Sequence, residues 1–147
     1  MGWLKRLAGR TVALDSAPLI YFVERHSAFH ARIRPFFQAL QRGDFEVVAS
    51  AIAVTEVLVH PLKHDNIALA DEFRKIFMDT NNFQTISITP EIAETAARVR
   101  ATHGIRTPDA LHIATAIHCK ADFFLTNDER LAVLSPPTVM TLSDLTE

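Results

Sequence analysis

The sequence is poor in the residues that announce several common chemistries. It has only four Gly, none in a phosphate-cradling loop, so P-loop and Gly-rich dinucleotide motifs are excluded. Its one Cys, Cys119, cannot close an internal disulfide. It stands in an apolar helical stretch and reads as a small buried hydrophobe, and a lone thiol fits a reducing compartment. No apolar run approaches the roughly 18 residues that span a bilayer. The segment Met1-Gly2-Trp3-Leu4-Lys5-Arg6 lacks the apolar centre of a secretory leader. The expectation is a cytoplasmic protein without membrane association. A positive charge excess is also missing, since 15 Lys and Arg against 17 Asp and Glu leave a formal charge of −2. That balance argues against a nucleic-acid binder working by charge alone, but it allows an enzyme with a local basic rim and a metal.

What is present describes an ordinary globular domain. The chain has 147 residues and is 48% hydrophobic, enough to bury a substantial core in one domain. Ten Phe against one Trp and one Tyr point to a core rich in phenyl rings. Residues 1–10 read as a short basic, frayed lead-in, and 11–147 as a single domain.

Along that domain, short apolar strands alternate with helices. Strands are expected at Thr11–Leu14, Phe45–Ala49, Gln84–Ile88, Asp122–Leu125 and Thr138–Met140. Between them the spacing predicts helices from Ser16, from about Ala28 to Gln41 with Gly43 as the stop, and through Val54, Val57 and Leu58 until Pro61. Further helices are predicted from about Asn66 to Met78, after Thr89-Pro90-Glu91, and from Thr107. The last begins Thr107-Pro108-Asp109-Ala110-Leu111-His112-Ile113-Ala114-Thr115-Ala116, with Thr107 as N-cap and apolar residues on nearly every side. This alternation implies an α/β fold with a mainly parallel sheet.

In open parallel sheets, sites form beyond the carboxyl ends of the strands. That rule selects Asp15 after the first strand, Glu56 in the helix after the second, and Asp128 after the strand ending at Leu125. It also selects Asp109 at the start of the buried helix. Each acid has an ordinary reading. Asp15 and Asp128 are good caps, Thr126…Glu129 has capping-box spacing, and Glu56 fits a solvated helix face. Thr89-Pro90-Glu91 repeats the grammar of Thr107-Pro108-Asp109, so cap grammar alone cannot nominate Asp109. Convergence changes the weighting. Several carboxylates at one sheet edge repel one another and need a cation. Hard oxygen ligands without a Cys or His pair point to Mg²⁺ or Mn²⁺ rather than zinc. Such a site, with no nucleotide loop, suits phosphodiester hydrolysis.

These motifs resemble the PIN-domain family, most of all the VapC-type toxin ribonucleases of prokaryotic toxin–antitoxin pairs. The likeness runs from about Thr11 to Leu142. It is carried by Val12-Ala13-Leu14-Asp15-Ser16 with Leu19-Ile20-Tyr21, by Thr55-Glu56-Val57-Leu58, by the Thr107–Ala116 stretch, and by Leu125-Thr126-Asn127-Asp128. The resemblance implies a three-layer sandwich with a central sheet of about five short strands. It implies Asp15, Glu56, Asp109 and Asp128 clustered around Mg²⁺ or Mn²⁺, with Asp15 and Asp109 the foremost ligands. Glu56 would hold the metal or orient water, and Ser16, Thr126 and Asn127 would hold the acids. The implied reaction is hydrolysis of RNA by water attacking phosphorus in line, and the implied partners are RNA, a cognate antitoxin and a second copy of the chain.

For RNA contact, Arg106 and His112 are the nearest candidates. His112 also reads as a packed histidine satisfied by a neighbour. Arg25, Arg32, Arg34 and Lys63, with His60 and His64, are candidates for a basic rim. The alternative function is a catalytically inactive PIN-like RNA-binding or scaffold domain, which intact acids weigh against. A haloacid-dehalogenase-like enzyme would want a second Asp where Ala17 stands, and a phosphoryl-acceptor domain would want a further early acid pair and a late Lys.

Overall fold

The structure, a computed structural model, describes residues 2–146. Strands β1 (Thr11–Leu14), β2 (Glu46–Ser50), β3 (Phe83–Ile86), β4 (Phe123–Thr126) and β5 (Thr138–Thr141) form one sheet in the order β3-β2-β1-β4-β5. Every neighbouring pair is parallel. Helices α1 (Gly2–Leu7), α2 (Ser16–Val23), α3 (His30–Arg42), α4 (Ile52–Lys63), α5 (Ile67–Asp79), α6 (Pro90–His103) and α7 (Thr107–His118) complete the α/β sandwich expected from the alternation.

A parallel sheet is covered on both faces, and that is why its strands are apolar throughout. Successive side chains leave opposite faces. Val12 and Leu14 therefore join one core cluster while Ala13 joins the other, and Leu125 and Phe124 divide in the same way. On the first face Leu19, Ile33, Phe36, Leu40, Val57 and Phe73 fill the space beneath α2 to α5. On the second face Ile113 and Ala116 of α7 lie against Ala13, Val48 and Phe124. Ala96, Ala110 and Ala114 keep α6 and α7 close. Gly43 and Gly104 end α3 and α6 in the left-handed conformation, with φ of 82° and 66°, which a Cβ would disfavour.

Several boundaries differ from the sequence reading. Gly2–Leu7 is a packed helix rather than a frayed lead-in. Trp3 is 5% and Leu7 1% exposed, and the Arg6 guanidinium lies 5.5 Å from the centre of the Phe123 ring. Burial holds a segment too short to be helical alone. Strand β3 begins at Phe83 and ends at Ile86, because its partner β2 ends opposite it at Ser50. Helix α4 continues past Pro61 to Lys63, with the proline in its last turn.

The sheet order places the cleft. From β1 the chain crosses to β2 on one side, while β4 lies on the other. The carboxyl ends of β1 and β4 thus flank a topological switch point, where such sheets open a crevice.

Candidate active site

Asp15 is the first residue beyond β1. Its backbone N–H donates to the Leu125 carbonyl at 3.0 Å, which pins it to β4. Its Oδ1 accepts from the Ser16 N–H at 2.7 Å and its Oδ2 from the Thr126 hydroxyl at 2.7 Å. Asp15 therefore caps α2, as its ordinary reading had it, and also stands in the cleft. Thr126 is fully buried, and its Oγ1 also accepts from the Asp128 N–H at 3.0 Å. One hydroxyl fixes the two acids relative to each other.

Glu56, in the second turn of α4, is hydrogen-bonded through Oε1 to His112 Nε2. The same Nε2 lies 3.4 Å from Asp15 Oδ1. Asp15, Glu56 and His112 each present a ligand atom, all within 4.8 Å of one another. His112 is 2% exposed, so it offers RNA no surface; the expectation of RNA contact fails on access. The packed reading holds for Nε2, whereas Nδ1 is buried without a hydrogen-bond partner.

Asp109 is the third residue of α7, and the local geometry differs from the expected cap. The N-cap is Arg106, in extended conformation, and Thr107 is already helical. In α6 the matching Thr89 does cap, accepting from the Ile92 N–H at 3.2 Å. The helix beginning one residue earlier puts Asp109 within reach of Arg106, whose Nε donates to Oδ2 at 3.3 Å. Tertiary packing separates the two motifs further: the Asp109 side chain is 12% exposed and that of Glu91 78%.

Asp128 caps the 3₁₀ turn Glu129–Val133 and accepts from Arg130 Nη2 at 2.7 Å. The Thr126…Glu129 capping box does not form, since Glu129 accepts instead from the Ser143 hydroxyl at 2.8 Å. Asn127 does not hold an acid; it donates to the Tyr21 hydroxyl at 3.0 Å. Asp15, Glu56, Asp109 and Asp128 nonetheless line one cleft of about 260 Å³, together with Ser16, Arg106 and Thr126.

The charges in the cleft perturb one another. Burial raises the Asp109 carboxyl above its ordinary value; Arg106 opposes this, and the facing Asp15 and Asp128 charges reinforce it. For Glu56, burial is outweighed by the hydrogen bond and charge of His112, aided by Ser16 and Arg106, and its carboxyl falls below the ordinary value. Burial would lower His112, but the bond to Glu56 and the charges of Asp15, Glu56 and Asp109 carry it upward. Asp128 is lowered chiefly by its bond from Arg130.

Arg106 lines the cleft, as expected, with its side chain 72% exposed. Arg25, Arg32, Arg34, Lys63, His60 and His64 do not line it. Arg130 was not among the expected residues. Its spacing from Asp128 was the available signal, but only the turn brings the guanidinium back onto the carboxylate.

The PIN domain family model matches residues 12–135. No curated protein matches the chain in sequence. Among solved structures, VapBC2 from Rickettsia felis bound to a DNA fragment from its promoter is similar with a TM-score of 0.72 at 15% identity. That match covers 89% of this chain and 98% of that one. A toxin-antitoxin complex from Klebsiella pneumoniae gives 0.67 at 24% identity over 89% and 97% of the two chains. VapC20 from Mycobacterium tuberculosis, described as a sarcin-ricin loop cleaving toxin, gives 0.64 at 13% identity over 77% and 86%.

Proposed function

The chain belongs to the PIN-domain family, and on that premise we propose that it is a Mg²⁺- or Mn²⁺-dependent endoribonuclease, the toxin of a toxin–antitoxin pair. The observation that carries the reading is the meeting of Asp15, Glu56, Asp109 and Asp128 in one cleft at the sheet's switch point.

The donor set fits a hard divalent cation. Carboxylate oxygens predominate, and the raised Asp109 marks a charge that a cation would relieve. Asp15 and Asp109 would hold the ion, with Glu56 and Asp128 beside them. When bound, it lowers the pKa of a bound water and stabilises charge on the phosphate oxygens. The protein's own groups do the rest. Ser16 and Thr126 fix the Asp15 carboxylate from opposite sides. His112 holds Glu56 where it orients the attacking water and accepts its proton. Arg106 stands exposed at the rim, where the phosphate approaches.

The RNA substrate is supported by the similarity to VapC20. A cognate antitoxin is supported by the similarity to the Rickettsia and Klebsiella complexes. A homodimer and a cytoplasmic location belong to the same reading, as does a single domain, which the packing of Trp3 and Leu7 into the core extends to include α1. No helix among the described residues is long and apolar enough to cross a membrane.

The test is single-turnover RNA cleavage in Mn²⁺ or Mg²⁺ by wild type, Asp15→Asn and Asp109→Asn, with thermal unfolding alongside. Both variants should fold and lose cleavage; full activity in either sinks the assignment. Calorimetry should show Mn²⁺ binding that the double variant lacks. The arginine clasps on Asp109 and Asp128 favour the alternative, an inactive RNA-binding or scaffold domain. RNA binding without cleavage in the presence of either metal would decide for it.

A further inference from the structure

Beside the acid cleft lies a second cavity of about 280 Å³ that the proposed chemistry does not use. The two adjoin, because Arg106, Asp109 and Asp128 line both. Their linings differ in kind. Carboxylates and hydroxyls line the acid cleft, whereas the second cavity sets Ile105, Leu131, Val133 and Leu134 beside the shared Asp109 and Asp128, with Arg106, Arg130 and His103 around them. It is smaller than the roughly 300–1,000 Å³ of pockets for drug-sized ligands, which limits its occupant to a single small group.

A nucleotide has a matching division, with an anionic phosphate joined to a base whose faces are apolar. A chain whose phosphate lies at the acids must place the neighbouring base nearby, and this cavity adjoins them. The guanidiniums suit the next phosphate. Arg106 and Arg130 are 72% and 78% exposed and are tied only to the cleft acids. Exposed ion pairs contribute little, so exchanging a carboxylate for a phosphate oxygen costs little. A base inside a duplex is stacked on both faces and cannot enter such a cavity.

Resting on the nuclease reading, we propose that this cavity is a nucleobase subsite. It takes the unstacked base next to the scissile phosphate, with Arg130 against the following phosphate.

The test is an abasic walk along a short single-stranded RNA. Affinity is read by fluorescence anisotropy on Asp15→Asn protein, and cleavage on protein with Asp15 intact. Val133 is 81% exposed, so Val133→Asp removes apolar wall without disturbing the core. Removing one base beside the cut should weaken binding about tenfold. In the Val133→Asp background that penalty should fall to near parity with the other positions, at an unchanged melting temperature. The added charge repels every RNA alike and cancels in this ratio. Equal penalties at all positions, an undiminished penalty in Val133→Asp, or equal cleavage of duplex RNA would overturn the subsite. Base-independent cleavage overturns the subsite and leaves the nuclease reading standing. Cavity-dependent binding without cleavage does the reverse.

Discussion

Thr126→Val tests whether one buried hydroxyl holds the acid cleft together. Valine keeps the shape and deletes the donor to Asp15 and the acceptor for the Asp128 N–H. A hydrogen bond to a charged acceptor contributes about 1.5–3 kcal/mol net, and the neutral bond from Asp128 about 0.5–1.5 kcal/mol. The buried methyl that replaces the hydroxyl returns roughly 0.8 kcal/mol. The net loss is then about 1.2–3.7 kcal/mol, or roughly 4–15 °C in melting temperature for a chain of this size. Thr126→Ser is the control. It keeps the hydroxyl and loses one buried methyl, costing about 1 kcal/mol. Urea unfolding of both variants, alone and with Asp15→Ala, closes a double-mutant cycle. A coupling of about 1–2 kcal/mol between Thr126→Val and Asp15→Ala is expected. The reasoning is refuted if valine costs no more than serine, or if the two substitutions are additive.

Three further outcomes follow from the packing. His112→Leu should weaken Mn²⁺ binding about tenfold by releasing Glu56, as loss of an outer partner does in other metal sites; His112→Gln, which keeps a donor, should recover part of it, and calorimetry that separates neither variant from wild type refutes the role. Trp3→Ala should cost about 3–5 kcal/mol in urea unfolding, since its ring is buried in the core; a loss below about 1 kcal/mol would return α1 to a frayed lead-in. Burial pushes the Cys119 thiol up, so folded protein should react with iodoacetamide more slowly than urea-unfolded protein at mildly alkaline pH. The sign follows from the raised value: folding favours the neutral thiol, and that contribution is complete below the unfolded pKa and lost as pH rises through the folded one. Equal rates in the two states would contradict it.

Local physics made most of the architecture legible. Apolar strands spaced by helical periods specify a parallel sheet, and Gly43 and Gly104 mark helix ends because they accept positive φ. Burial decided the exceptions. Gly2–Leu7 looks like a basic tail until Trp3 and Leu7 are given a core to enter. Pro61 looks like a stop, yet the last turn of α4 accommodates it.

The sequence by itself determined which acids follow strands or open helices, and its family resemblance pointed to Asp15, Glu56, Asp109 and Asp128 sharing a cleft. Strand direction and crossover geometry leave few other places for them. Only the tertiary structure decided how each is held. Thr107-Pro108-Asp109 and Thr89-Pro90-Glu91 read alike, but one acid is buried against an opposing pair of carboxylates and the other faces solvent. His112 gives no sign in the sequence of bridging toward Asp15 and Glu56, because its partners are supplied by β1 and α4 across the cleft. Arg130 joins the site for a similar reason: a 3₁₀ turn folds its guanidinium back onto Asp128. Periodicity records which face of an element is buried. It carries no record of which distant side chain arrives there, because that depends on the packing of several elements at once.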